Sequence, residues 1–290
     1  MRELKILAVL VVFTGLLYFG VEPYAHTQLH KHVDAPEYSF KDVDGLKGLK
    51  GDAIAGAAHV QANCIACHSM EKIGFPKLMD DATSAASYGV VPPDLVTSGL
   101  LYNAEYLAAF IKNPAKATQT EHKFKDGAVH PMPSYDWMQP QEIADMVAYL
   151  QSIAPKSVTN KEAFADACQR CHAIKYGDML NGTMASFTPD ANIMAYMGAM
   201  PPDLSQYIKS RSEQYLHEFI NAPQKHLDGT AMPRVGLTEA AEAQVINYMI
   251  EVGDSSRDDR NSIGPKFLIY LLIFAVFAWL WKAKIWRDLH

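Results

Sequence analysis

Cysteine is scarce: the 290 residues hold four, in two close pairs, Cys64 with Cys67 and Cys168 with Cys171. None is left over for a long-range disulfide, so the fold does not rest on a disulfide framework. Basic charge is also short. With Arg2, Lys5, Lys266, Lys282, Lys284 and Arg287 set aside at the two ends, 20 basic residues remain, against 30 acidic ones once Glu3 and Asp288 are removed. A middle region near −10 argues against nucleic acid as a partner and suits transient docking of a basic soluble one. No phosphate loop, paired-carboxylate motif or nucleophile-and-base arrangement stands out. Alternating strand patterns are missing too, and loops rich in Pro, Gly and Met join stretches of helical spacing.

Long apolar runs sit at both ends. From Phe267 to Trp281 every residue is apolar or aromatic, and Ile263 and Gly264 extend the run towards the roughly 20 residues of a membrane-crossing helix. Lys266 precedes it, Lys282, Lys284 and Arg287 follow, and Trp279, Trp281 and Trp286 suit an interfacial belt, which predicts a cytoplasmic C-terminus. Ile6 to Val21 is a second run, open to two readings: a retained anchor or a cleaved signal peptide. Glu22 and Pro23 spoil a small-x-small cleavage site near Ala25, which favours retention. Either way Arg2 and Lys5 stay inside and the segment from about residue 22 to 262 is exported.

The middle of the chain matches itself at a period of about 100 residues. Cys64-Ile-Ala-Cys67-His68 answers to Cys168-Gln-Arg-Cys171-His172, and Pro92-Pro93-Asp94-Leu95 to Pro201-Pro202-Asp203-Leu204. Tyr106-Leu107 through Pro114 answers to Tyr215-Leu216 through Pro223, and Met132-Pro133 to Met232-Pro233. Each copy opens with a predicted helix, over 52–63 and 161–167, and closes with one, over 142–153 and 239–252. The chain therefore divides into an N-terminal anchor or signal (1–22), a linker (23–50), two mainly α-helical domains (51–154 and 155–253), a second linker (254–262), a C-terminal anchor (263–283) and a cytoplasmic tail (284–290).

A C-x-x-C-H motif is a c-type haem attachment site: two thiols three positions apart form thioethers to one porphyrin, and the next histidine points at the iron. A lone C-x-x-C also suits a zinc half-site or a redox dithiol. Zinc would need two further ligands, and a dithiol would not call for a following histidine twice. Two covalent haems follow, on Cys64, Cys67 and His68 and on Cys168, Cys171 and His172. For the sixth ligand, Met132 and Met232 hold the same place in each copy, before a proline and some 60 residues past the motif histidine. Most of the 13 methionines are expected to fill cores. His122 and His130 lie near Met132 as rival ligands, His59, His217 and His226 read as surface or helix residues, and His26, His30 and His32 as a solvated cluster. Two protein ligands leave no open iron position, which distinguishes carriage from peroxidase-type catalysis.

Cys64-Ile-Ala-Cys67-His68-Ser69-Met70 resembles the haem motif of cytochrome c1, and Met200-Pro-Pro-Asp-Leu-Ser205 with Ile208-Lys-Ser-Arg211 and Tyr215-Leu216 resembles its Pro-Pro-Asp-Leu-Ser segment. The basic-tailed C-terminal anchor is also how cytochrome c1 is held. With two haem motifs, and with Arg2-Glu-Leu-Lys-Ile through Val21-Glu-Pro-Tyr-Ala-His26, the chain is similar to the dihaem c1-type subunit of epsilonproteobacterial cytochrome bc1 complexes. That resemblance implies two tandem class I cytochrome c domains between two transmembrane helices, in the inner membrane with the haem domains facing the periplasm. It implies cytochrome b and a Rieske iron-sulfur protein as partners, a soluble cytochrome c or terminal oxidase as acceptor, and a dimeric complex. Such a subunit is not catalytic alone. A dihaem subunit of a cbb3-type oxidase is the runner-up, though there the membrane segment normally precedes the haem domains. A dihaem periplasmic enzyme or a structural tether are readings from other classes.

Overall fold

The computed structural model describes residues 2–29, 37–125 and 129–289, so His30 and His32 lie outside the described residues. Among these residues there is no strand, and the protein is mainly α-helical. The N-terminal run is helical as α1 (Arg2–Leu16), a π-helical turn (Leu17–Val21) and α2 (Glu22–Leu29). The first copy comprises α3 (Ala53–Asn63), α4 (Asp81–Tyr88), α5 (Ser98–Leu101), α6 (Ala104–Lys112), α7 (Pro114–Ala117) and α8 (Pro140–Ile153). The second runs in the same order: α9 (Asn160–Phe164) with a π-helical extension (Ala165–Gln169), α10 (Asp190–Met197), α11 (Tyr207–Ser210), α12 (Glu213–Asn221), α13 (Pro223–His226) and α14 (Glu239–Gly253). α15 (Arg257–Leu289) follows.

The linker expected over 254–262 is helical from Arg257 and enters the apolar stretch without a break, and the expected tail is helical to Leu289. Asp258 and Asp259 in the first turn of α15 complement the positive end of the helix, so a charged segment that reads as a linker is a good helix start.

In each copy the closing helix packs on the opening one, α8 on α3 and α14 on α9. Local sequence sets these helices. Asp52 caps α3 by accepting the Ile54 N–H, Thr159 and Glu162 form a capping box on α9, and Thr238 caps α14. Apolar residues at helical spacing then meet, with Val60, Met146, Val147 and Leu150 in the first core and Phe164, Val245, Ile246 and Met249 in the second. Burying each large side chain contributes about 1.5–3 kcal/mol. Met70, Met138, Met146, Met179, Met197 and Met249 are buried as gap-filling methionines, whereas Met79, Met184, Met194 and Met200 are exposed, so fewer of the methionines fill cores than expected. Gly56 lets α3 approach α8 closely: a Cβ there would lie 1.9 Å from the Asp145 carbonyl oxygen.

The two copies share a seam. Asn103 donates its N–H to the Gly236 carbonyl at 3.0 Å, Thr238 to Leu101 at 2.8 Å and Arg234 to Thr118 at 2.9 Å. Gly236 sits at φ +75° with the Tyr106 ring where a Cβ would be, so only glycine fits. Residues 37–50 strap across this seam. Phe40 is buried between the Tyr106 ring and the Arg234 guanidinium, and Arg234 also grips Asp42 with two hydrogen bonds. Tyr38 accepts from Asn103 through its carbonyl and donates its hydroxyl to Glu242, 204 residues away. Glu242 is fully buried and also accepts from the His217 ring and the Asn221 amide.

At the other end, Asp254 follows α14 and accepts both η nitrogens of Arg260 at 2.8 and 2.7 Å, fastening the second copy to α15. Two helical stretches, Glu3–Ala25 and Arg257–Arg287, are long and apolar enough to cross a membrane, and neither is buried against the rest of the chain. Lys282 pairs with Glu3 at 2.7 Å, placing the start of the first beside the end of the second.

Two outcomes are expected. Gly56→Ala, by overpacking the α3–α8 contact, lowers stability to chemical unfolding by about 1–3 kcal/mol. Burial raises the Glu242 carboxyl against its hydrogen bonds from His217, Asn221 and Tyr38. The folded state therefore binds its proton more tightly than the unfolded chain and loses stability as pH rises above about 4.5, the ordinary glutamate value. The stability gap between wild type and Glu242→Gln should shrink from pH 4.5 upward, measured by unfolding at stepped pH.

Candidate functional site

The C-terminal end of α3 passes into the first cysteine pair with its helical hydrogen bonding intact. Cys64 donates its N–H to Val60 at 2.9 Å, His68 to Cys64 at 2.9 Å and Cys67 to Cys64 at 3.1 Å. Positions i, i+3 and i+4 of one turn share a face, so two thiols and an imidazole are presented together. The second copy repeats this, with Cys171 and His172 donating to Cys168 at 3.2 and 3.0 Å. All four thiols are free. Burial pushes the Cys64 and Cys168 thiols up to about 12, so they are held protonated. Among the described residues no group of three or more His, Cys, Asp or Glu is placed to hold a metal ion, which leaves a zinc half-site without its other ligands.

Each motif histidine is held from its far side. His68 Nδ1 lies 2.8 Å from the Pro93 carbonyl oxygen and His172 Nδ1 lies 2.8 Å from that of Pro202. A carbonyl only accepts, so Nδ1 carries the proton and Nε2 is left with its lone pair outward. Burial lowers the pKa of both imidazoles, opposed by these hydrogen bonds, and both rings stay neutral.

The Pro-Pro-Asp-Leu match of the repeat is what holds those carbonyls in place. Leu95 donates to the Ser69 carbonyl and Leu204 to that of Ala173, each at 2.9 Å. The Asp94 carboxylate collects Ser69 Oγ, the Glu71 N–H and the Val96 N–H at 2.8–2.9 Å, and Asp203 accepts the Ser205 and Lys175 N–H groups. Pro93, Pro202, Asp94 and Asp203 are supporting residues that the sequence displayed only as matching letters; their recurrence beside each motif was the available signal.

Met132 and Met232 sit on equivalent loops. Three residues past each, Tyr135 and Val235 donate their N–H to the Ile111 and Ile220 carbonyls, both at 3.3 Å. In the first copy Tyr135 also donates its hydroxyl to the Asn63 carbonyl at 2.8 Å, which draws the Met132 loop to the residue before Cys64. Met132 is half-buried against the first core and Met232 is half-buried. Of the two rival histidines, His130 is tied to Met132 through Nδ1, which lies 3.1 Å from the Met132 N–H and 3.0 Å from its carbonyl, and its ring packs edge-on to Phe124. His122 has its Nε2 buried without a hydrogen-bond partner.

The sites meet the seam between the copies. The Tyr88 hydroxyl is 4.0 Å from Cys67 Sγ, and α4, which ends in Tyr88, packs on α10. From the first copy, Lys123 reaches over the Tyr196 ring of α10 at 4.3 Å and to Met197 Sδ at 3.5 Å.

Residues 53–154 match the family model for cytochrome c. A solved structure described as a hyperthermophilic respiratory Complex III aligns with 100% of this chain and 98% of its own, at 18% identity and a TM-score of 0.31. No curated protein matches. The first copy is thus a cytochrome c domain, a class that holds haem c covalently for electron transfer, and its residues fit that group: two free thiols and a neutral imidazole with Nε2 available, on one helical turn.

Asp94→Ala should leave Cys64 and Cys67 intact but orphan three donors, lowering stability by about 1–3 kcal/mol in thermal unfolding followed by circular dichroism.

Proposed function

We propose that this chain is a membrane-anchored dihaem c-type cytochrome, the c1-type electron-transfer subunit of a quinol-oxidising complex. The observation that carries the dihaem reading is the duplicated hydrogen bond, His68 Nδ1 to Pro93 and His172 Nδ1 to Pro202, both at 2.8 Å and both beside a one-turn pair of free thiols. The element-for-element repeat of the first copy supports reading the second as a domain of the same kind. Cys64 and Cys67 would hold one haem and Cys168 and Cys171 the other, with His68 and His172 offering Nε2 to the iron. Met132 and Met232 would supply the second protein ligand to each iron, supported by their equivalent loops and by the Tyr135 tether to Asn63.

Haem bound in this way supplies one-electron chemistry. The chain's own residues fix the imidazole tautomer and present the attachment thiols on one helical turn beside it. With α4 packed on α10 and Tyr88 against Cys67, both sites border one seam, which supports electron exchange within the chain. The c1-like role rests on the Met200 to Ser205 and Ile208 to Arg211 signatures and on the C-terminal apolar helix. It makes a Rieske protein the donor, cytochrome b the membrane partner, and a soluble cytochrome c or an oxidase the acceptor. The Lys282–Glu3 pair supports both termini lying on one side of a membrane, and the basic residues Arg2, Lys5, Lys282, Lys284 and Arg287 favour the cytoplasmic side of the inner membrane for them, with the haem domains on the periplasmic side.

Intact mass with haem staining of a denaturing gel should show two covalent haems, and an increment of one would remove the second site. Oxidised protein should show the near-infrared sulfur-to-iron band, lost in part with Met132→His and in part with Met232→His. His122→Ala should leave it unchanged; a band that Met132→His fails to diminish would instead point to His122 as the first haem's ligand. Gentle extraction should bring the chain down with a cytochrome b and a Rieske protein, whereas recovery with a copper-containing oxidase core would replace the c1-type role with the oxidase one.

A further inference from the structure

The two copies differ in the loop that leads to the methionine. Met132 lies 18 positions after Pro114, whereas Met232 lies nine after Pro223. The added stretch of the first copy forms the turn Glu121–Lys123, which has no counterpart among the described residues of the second. Its base is tied to the seam: Thr120 donates to the Ala115 carbonyl at 2.9 Å and meets the Thr118 hydroxyl at 2.7 Å, and the Thr118 carbonyl accepts from Arg234. From that turn Lys123 crosses to the second copy, with Nζ 4.3 Å from the centre of the Tyr196 ring and 3.5 Å from Met197 Sδ. Both lie on α10, which leads into Pro202, the residue that holds His172.

Lys123 is half-buried and has no carboxylate partner among the described residues. Burial lowers its pKa, and the face of a tyrosine ring favours the charged form. The charge is felt at the second motif: burial raises the Cys171 thiol, and Arg170 and Lys123 oppose that rise. At the equivalent place in the first copy Cys67 faces the Tyr88 hydroxyl, a neutral group.

The other charges do not repeat this difference. Asp94 acts on His68 as Asp203 does on His172, and Arg170 acts on both sites, through His68 and Cys171. Asp166 lies beside Arg170 and accepts from Thr97 of the first copy. Glu242 acts on Cys168, but burial raises its carboxyl, and His217, Asn221 and Tyr38 hold it. Glu121 and Lys125, beside Lys123, are exposed and opposite in sign, and Asp126 lies outside the described residues. Exposed charges are screened far more than half-buried ones. Lys123 is thus a positive charge that the second site has and the first lacks.

Reduction removes one unit of positive charge from a haem, so a fixed cation nearby favours the reduced form. We infer that Lys123, a residue of the first copy, raises the reduction potential of the second haem and so biases an electron shared within the chain towards it. One electron moves: the first iron goes from ferrous to ferric, the second from ferric to ferrous, and no bond or proton changes. The inference rests on the dihaem reading proposed above.

Potentiometric titration of the full detergent-purified holoprotein, followed at the visible haem bands, is fitted to two one-electron components. Lys123→Gln should lower one of them, moving the electron distribution roughly three- to ten-fold towards the first haem, or about 30–60 mV at 59 mV per tenfold change. The component lowered should be the one that Met232→His displaces, while the one that Met132→His displaces stays in place. Lys123→Arg should keep the wild-type value. Lys123→Met, which keeps an apolar stem beside Met197 without the charge, should match Lys123→Gln, so that a loss of packing is told apart from a loss of charge. Unchanged potentials in both neutral variants, an equal shift of both components, or a shift of the component tied to Met132 overturns the inference. Intact mass separates it from its premise: a single covalent haem sinks the dihaem reading, whereas two haems with potentials indifferent to Lys123 sink this inference alone.

Discussion

A proline carbonyl accepting the proton of an imidazole is the contact on which the rest of this structure depends. It sets which ring nitrogen is free, and it needs a loop some 25 to 30 residues downstream to be held within a few tenths of an ångström. Asp94 and Asp203 hold that loop by collecting backbone donors from both of its sides. The helical pairs α3–α8 and α9–α14 in turn fix the turn that bears the thiols. Removing any layer leaves the motif present in the sequence and unsupported in space.

The two copies are alike in order and unlike in how they are joined. The second carries a longer passage between its motif and α10, and there Thr183 and Ser186 donate to Asp81 at the start of α4 in the first copy. Only the first copy ties its methionine loop back through a tyrosine, Tyr135; the second has Val235 at that place and lends its neighbours Arg234 and Gly236 to the seam instead. Duplication gave two equivalent frames, and the differences went into making one body of them.

Much of this was legible in the sequence because it is local. Cysteines and a histidine at i, i+3 and i+4 declare their shared face without any tertiary information, and the opening and closing helices follow from apolar spacing and caps such as Asp52 and Thr238. What was not legible depends on distant partners. Nothing near Tyr38 says that its hydroxyl meets Glu242, so 37–50 reads as a linker although Phe40 is among the most buried residues. The polar run before the C-terminal anchor reads as a linker although its two arginines are held, Arg260 by Asp254 at the start of the run and Arg257 by Glu213, 44 residues away. The Met132 and Met232 loops were found by register alone, and the unpartnered His122 shows why register leaves a competitor standing.

The clamp of Arg260 on Asp254 also bears on how this molecule moves. With α15 continuous from Arg257 and its first turn locked to the end of α14, there is no free tether between redox head and anchor. In the proposed carrier such a head would stand like a post of set height, and any travel between donor and acceptor would fall to its partners.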